Sequence, residues 1–127
     1  MRGRRSAPST YAGRVANLLP YAVLKILAFQ DRHENKDAYD LVFTLLHYGA
    51  GPREAGERAS ASPVVGHPRV REALALMEER FSDIAQDGPC SYAAFLALPG
   101  REEELARRRM QAVVTVEEFL MALRGSP

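Results

Sequence analysis

The chain is poor in the residues that build disulfides and metal centres. Cys90 is its single cysteine, and its three histidines, His33, His47 and His67, are scattered along the sequence. A single cysteine excludes an internal disulfide and is compatible with a reducing compartment. Zinc sites need clustered cysteine and histidine ligands, which this pattern does not provide. We therefore expect a cytoplasmic protein without metal ligands of its own, in which Cys90 is a small structural residue.

Long apolar runs and a strong charge of one sign are also missing. The most apolar stretch, residues 18–29, contains a lysine and a proline and is shorter than the roughly 20 residues that span a bilayer. The net charge of +1 gives no general argument for binding to a membrane surface or to nucleic acid. Residues 1–10 are basic, but no signal-peptide apolar region follows them. We expect no membrane partner, and a disordered basic tail over residues 1–16.

No strand-length run of alternating apolar and polar residues occurs. The 127 residues, 46% hydrophobic and 26% charged, suit one globular domain with a modest core. The apolar residues recur instead at helical spacing. We predict an all-α fold, an irregular bundle of four to five helices with no sheet, over residues 17–127. Residues 50–66 are rich in glycine, serine, alanine and proline, and we expect a mobile loop there, with room for a short helical turn from Pro52 to Arg58.

Two helices joined by a polar turn carry the candidate functional residues. Residues 18–29 are apolar nearly all round, which predicts a buried helix with Pro20 at its first position. Lys25 is the only charged residue of this stretch. Leaving its ammonium buried and unpaired would cost several kcal/mol. The lysine must therefore reach the rim of the fold or meet a carboxylate.

The second helix offers that carboxylate. Asn35 is a good N-cap for it, and Gly49 is well placed to end it. Asp37 and Asp40 lie one turn apart near its positive end, so they face the same way. If the two helices pack antiparallel, Lys25 meets both aspartates on one surface. Two acids in a first turn are also ordinary helix starters, and in that case Lys25 is a rim lysine whose stem covers apolar surface.

The segment from residue 25 to residue 41, KILAFQDRHENKDAYDL, resembles a segment of the nucleotidyltransferases of the AbiEii-type toxin family. In that family the pattern Lys … Arg … Lys/Arg-Asp-x-x-Asp-Leu belongs to the helical half that follows the catalytic half. The resemblance implies that Lys25 binds the phosphates of a nucleotide, with Arg32 and Lys36 as further nucleotide-binding residues. It also implies that the late acidic residue of the active site is Asp37 or Asp40, and we predict both as catalytic residues.

The features of the catalytic half do not occur in this sequence. The resemblance implies a Gly-Ser loop and an Asp-x-Asp pair, which hold Mg²⁺ and a nucleoside triphosphate. The chain has no Asp-x-Asp, and its one Gly-Ser pair is Gly125-Ser126. We therefore expect the helical half of such an enzyme, which holds no cofactor and is inactive alone. A catalytic half would be its partner, and a tRNA or a protein would be the acceptor.

A second interpretation is a non-enzymatic helical interaction module, degenerate or antitoxin-like. The missing Asp-x-Asp pair is the observation behind it. This interpretation predicts an exposed apolar patch and self-association through that patch.

The remaining apolar periodicity predicts helices over residues 68–81, 92–96 and 101–124. The last of these carries Arg107, Arg108 and Arg109. The three arginines suit phosphate contacts with an RNA acceptor. Because they follow the glutamates of residues 102–104 on the same helix, ion pairs at helical spacing are the simpler interpretation.

Overall fold

Helices make up all the regular structure in the described part of the chain. The computed structural model describes residues 6–96 and 102–125, with side chains described from Asn17 onward. These residues form six helices and no strand, which confirms the predicted all-α fold, although with six helices rather than four or five. The helices are α1 (Ser6–Arg32), α2 (Asn35–His47), α3 (Pro52–Ser60), α4 (Pro68–Arg80), α5 (Asp87–Phe95) and α6 (Glu102–Leu123).

Helix α1 begins earlier than predicted. It starts at Ser6, so residues 6–16 are helical where the sequence predicted a disordered tail, while residues 1–5 lie outside the described residues. Pro20 lies inside the helix rather than at its first position. The flanking side chains of Leu19 and Ala22 are fully buried. Packing against the core therefore keeps the helix continuous at Pro20. Its extension toward the N-terminus requires no separate helix nucleation step.

One side of α1 faces solvent, contrary to the prediction of a helix buried all round. Leu24 is 62% exposed, and Tyr21 is also exposed. Ile26 and Phe29 on the other side are buried in the core. Tyr21 is a neighbour of both Leu24 and Lys25 on this helix, because residues three and four positions apart are neighbours on a helix surface.

The hydrophobic core lies between the apolar faces of the helices. Its largest fully buried side chains come from α1, α2, α4 and α6, which pack on one another in several pairs. They are Leu19, Ile26, Phe29, Leu41, Leu45, Met77 and Phe119. The predicted apolar stripes of α2 and α6 point into this core, so helical periodicity located the core correctly.

Helix α3 occupies much of the predicted loop over residues 50–66, at the place where the sequence allowed a helical turn from Pro52 to Arg58. It packs along α6, with Ala55 and Ala59 buried. A Cβ atom on Gly56 would collide with the carbonyl oxygen of Phe119. The two helices therefore approach through their backbones, and only very small side chains fit between them. The composition that suggested a loop is what this close packing requires.

The other helix boundaries differ from the prediction by small amounts, except in α5. Helix α4 ends at Arg80, one residue early, and α6 is uninterrupted to Leu123, while its predicted first residue, Arg101, lies outside the described residues. Helix α5 begins at Asp87 instead of Tyr92, because an early proline is compatible with a first helical turn. Among the helices of the described ranges, none is both long enough and apolar enough to cross a membrane.

Candidate functional site

The α1–α2 hairpin brings the predicted site residues together. His33 turns the chain with φ at +55°, and its N–H donates to the carbonyl oxygen of Phe29 at 2.7 Å. Helix α2 then begins at Asn35, and Glu34 stands at the N-cap position without a side-chain hydrogen bond. The prediction of Asn35 as the N-cap is therefore wrong by one residue. The reversal within two residues sets the start of α2 beside the end of α1.

All five predicted site residues form one ionic cluster, consisting of Lys25, Arg32, Lys36, Asp37 and Asp40. The Lys25 Nζ donates to Asp40 Oδ2 at 2.8 Å and lies 3.8 Å from Asp37 Oδ1. The Lys36 Nζ donates to the same Asp40 Oδ2 at 2.9 Å. The Arg32 Nη2 lies 3.0 Å from both carboxylate oxygens of Asp37. The expected meeting of Lys25 with the two aspartates is thus confirmed.

The cluster has a buried inner part and an exposed outer part. The side chain of Asp37 is only 4% exposed, and those of Lys25 and Asp40 are mostly buried. Arg32 and Lys36 lie outside them, and the Arg32 side chain is 59% exposed. The inner charges depend on one another for neutralisation, whereas the outer cations are free to turn toward solvent or a ligand.

The inner charges stabilise each other's ionised forms. Burial alone raises the pKa of Asp40, but the hydrogen bonds from Lys25 and Lys36 outweigh burial, and the pKa falls below its ordinary value. The hydrogen bond to Asp40 raises the pKa of Lys25 above its ordinary value, against the opposing effect of burial. Both groups are therefore charged at neutral pH.

A cleft of about 420 Å³ adjoins the cluster, and we name it the aromatic cleft. Asp40 belongs to both features. Tyr21 lies on the α1 side of the cleft, with the Lys25 Nζ 5.5 Å from its ring centre. The complete lining is Asn17, Leu18, Tyr21, Asp40, Phe43, Thr44, His47 and Tyr48.

Phe43 lies on the α2 side of the cleft and is 45% exposed. Its ring lies between two others on the same helix, 5.4 Å from Tyr39 and 4.4 Å from His47 between ring centres. Sequence reasoning missed these cleft residues. The available signal was the spacing of four residues from Tyr39 to Phe43 to His47, which repeats on one helical face.

The cluster is suited to binding an anion. Its three cations and two carboxylates leave one net positive charge beside the cleft. Both carboxylates already contact cations, and the described residues contain no group of three or more histidines, cysteines, aspartates or glutamates that would hold a metal ion. The catalytic roles of Asp37 and Asp40 stay predictions, as do the nucleotide-binding roles of the three cations.

The arginines of α6 and the lone cysteine lie apart from this site. Arg107 and Arg108 pair with Glu104 at 2.9 and 3.0 Å, as the ion-pair interpretation predicted. Cys90 is half-buried, and its Sγ contacts the Ile84 carbonyl oxygen at 3.5 Å. Arg107, Arg108 and Cys90 therefore have local contacts that account for their positions, whereas the buried Nε of Arg109 has no hydrogen-bond partner among the described residues.

Comparison of the chain with family models, with curated proteins and with solved structures found no match. The ionic cluster and the aromatic cleft are therefore the features of the described residues that bear on function.

Proposed function

We propose that this chain is the helical half of a nucleotidyltransferase-like protein, and that its ionic cluster binds the phosphates of a nucleoside triphosphate. One observation carries the proposal. The three basic residues that the resemblance implies as nucleotide-binding, Lys25, Arg32 and Lys36, all lie in one cluster at the edge of a cleft. The resemblance concerns the order of these residues along the chain, and their short distances in the cluster support it.

The distribution of burial suits an exchange of partners. Exposed ion pairs contribute only about 0–1 kcal/mol to stability. Lys36 can therefore leave Asp40 for a phosphate oxygen at little cost, since its side chain is largely exposed and Asp40 keeps its contact with Lys25. Arg32 contacts the buried Asp37 through Nη2 alone and can offer its other N–H groups to a phosphate. Lys25 is held by Asp40 at 2.8 Å and supplies a fixed charge. Charge-assisted hydrogen bonds to phosphate are among the stronger polar contacts in proteins.

The two aspartates act in this proposal as positioning residues for the cations. A Mg²⁺ site needs oxygen ligands with an excess of negative charge. The cluster has the opposite balance, because three cations surround Asp37 and Asp40. The residues present do not fit a Mg²⁺ site, and the metal-binding carboxylates must come from a catalytic half. This chain supplies phosphate binding and is inactive by itself.

The test is the affinity of the chain for inorganic tripolyphosphate and for the four nucleoside triphosphates, measured by calorimetry at low salt. Lys25→Met keeps the apolar stem and removes the charge. We expect it to weaken binding by about tenfold or more, as for loss of a hydrogen bond to a charged group. Arg69→Ala is the control, because Arg69 forms an exposed pair with Glu72 away from the cluster. Equal affinities for Lys25→Met and wild type, or no binding by wild type, would sink the proposal.

A second candidate is the interaction module, and the exposed apolar side chains around the cleft favour it. Tyr21 and Phe43 are exposed apolar residues that line the cleft, and the exposed Leu24 lies one helical turn from Tyr21 on α1. Exposed apolar patches of this kind mark protein contacts. Sedimentation analysis of wild type and Leu24→Glu tests this candidate. A wild-type protein that stays monomeric at high concentration contradicts self-association.

A further inference from the structure

The aromatic cleft has features that phosphate binding does not explain. Phosphates need positive charge, which the cluster provides, whereas the cleft offers aromatic rings and a few polar edges. We propose that the cleft holds the base of the nucleotide whose phosphates bind the ionic cluster. This inference rests on the proposed function, and it names the part of the ligand that the cleft takes.

The two aromatic walls are exposed to a ligand and yet held in place. Phe43 lies between the rings of Tyr39 and His47, which restrict it, and it is 45% exposed and lines the cleft. On the other wall, the Tyr21 ring lies under the Lys25 ammonium at 5.5 Å, a cation–π contact. Rings that are fixed before binding lose little freedom when a flat ligand stacks on them.

The spacing of the cleft and the cluster matches a ligand with a flat end and an anionic end. Tyr21 precedes Lys25 by one helical turn on α1, and Thr44 follows Asp40 by one turn on α2. One turn advances about 5.4 Å along a helix. A ligand that occupies both features therefore needs a short link between its ring and its charge, as the ribose of a nucleotide provides.

The size and polarity of the cleft agree with this occupant. Its volume of about 420 Å³ lies within the range of about 300–1,000 Å³ that small-molecule pockets occupy. The Thr44 hydroxyl and the His47 ring supply hydrogen-bonding groups beside the aromatic rings of the lining. Apolar walls with a few placed polar groups are the usual construction of a ligand site.

The test compares Phe43→Ala with Phe95→Ala. Both rings belong to the set that contacts Tyr39, and their exposures are similar at 45% and 41%, but only Phe43 lines the cleft. Loss of a ring that stacks on a base typically weakens binding by about tenfold. We expect Phe43→Ala to weaken the binding of the most tightly bound nucleoside triphosphate by this factor. Its affinity for inorganic tripolyphosphate should not change. Phe95→Ala should change neither affinity. Phe43→Tyr, which keeps an aromatic ring, should bind the nucleoside triphosphate as tightly as wild type.

The outcomes separate the two proposals. If tripolyphosphate binds as tightly as every nucleoside triphosphate, or if Phe43→Ala affects neither, the base site is refuted and phosphate binding stands. If neither ligand binds, both proposals fail. If Phe43→Ala leaves nucleotide affinity unchanged but converts a sedimenting dimer into a monomer, the cleft is a protein interface and the base site is refuted. Far-UV circular dichroism of Phe43→Ala checks that the variant is folded, so that a loss of binding can be assigned to the missing ring.

Discussion

Replacing Asp37 with asparagine removes the most buried charge of the ionic cluster and keeps the shape of the side chain. Asp37 lies 3.0 Å from the Arg32 Nη2 through both oxygens and 3.8 Å from the Lys25 Nζ. Removing one member of a buried ion pair costs about 3–5 kcal/mol. Two features reduce this figure. Arg32 is 59% exposed and can return to water, and Lys25 keeps its 2.8 Å contact with Asp40.

We therefore expect Asp37→Asn to lower the free energy of unfolding by about 2 kcal/mol, the size of one hydrogen bond between charged groups. For a chain of 127 residues this corresponds to a fall in melting temperature of about 7 °C. Urea denaturation at neutral pH, followed by circular dichroism, measures the free energy, and a thermal scan measures the temperature. The slope of the urea transition should not change, because the compactness of the two states is unaltered.

Glu72→Gln is the matched control for Asp37→Asn. It also neutralises one carboxylate of an ion pair, but the pair of Glu72 with Arg69 is exposed on both sides at a distance of 3.4 Å. Its expected cost is below about 0.5 kcal/mol. Equal and small losses for the two variants would refute the reasoning, since the cluster would then be no more than an ordinary surface ion pair.

Gly56→Ala should destabilise the chain by about 1–3 kcal/mol despite the better helix propensity of alanine, because its Cβ meets the α6 backbone. Gly66→Ala, which meets open space, is its control in thermal denaturation, and a Gly56→Ala protein as stable as wild type would contradict the close contact. Because the pKa of Asp40 is lowered in the folded protein, its charge contributes fully to stability at pH values above its ordinary pKa of 3.8. This contribution is lost as the pH falls through the pKa of the folded state. Because the pKa of Lys25 is raised in the folded protein, its charge contributes fully to stability at pH values below its ordinary pKa of 10.5. This contribution is lost as the pH rises through the pKa of the folded state. The urea midpoint should fall less steeply with decreasing pH for Asp40→Asn than for wild type. Identical pH dependence in the acid range would disprove the contribution of Asp40.

The helical hairpin and its cluster were largely predictable from the sequence. A lone lysine in an apolar helix must reach the rim of the fold or meet a carboxylate, and two acids one turn apart at the start of the next helix offer that carboxylate. The pairing of Lys25 with Asp40 follows from these two local facts once the chain reverses at His33. The burial of Asp37 was not predictable in the same way, because it depends on the packing of the hairpin on the other helices.

The close packing of helix α3 and the position of the aromatic cleft could not be predicted from sequence, because both depend on distant neighbours. Ala55, Gly56 and Ala59 are typical of a loop when they are read alone, and their helical role appears only against the backbone of α6. Phe43 and Leu24 are apolar residues on apolar helices, and their exposure depends on which helices cover those faces. Periodicity identifies a face as apolar, but tertiary packing decides whether that face is covered.

The short α1–α2 connection also has a consequence for the order in which the molecule assembles. All members of the ionic cluster lie between residues 25 and 40, so their contacts close short loops, whereas Gly56 meets α6 near Phe119, half a chain away. Contacts of low sequence separation form faster than distant ones. During synthesis, a growing chain holds all five charged groups before α6 exists. The hairpin that carries the cluster can therefore close while the ribosome is still adding the helix against which α3 packs.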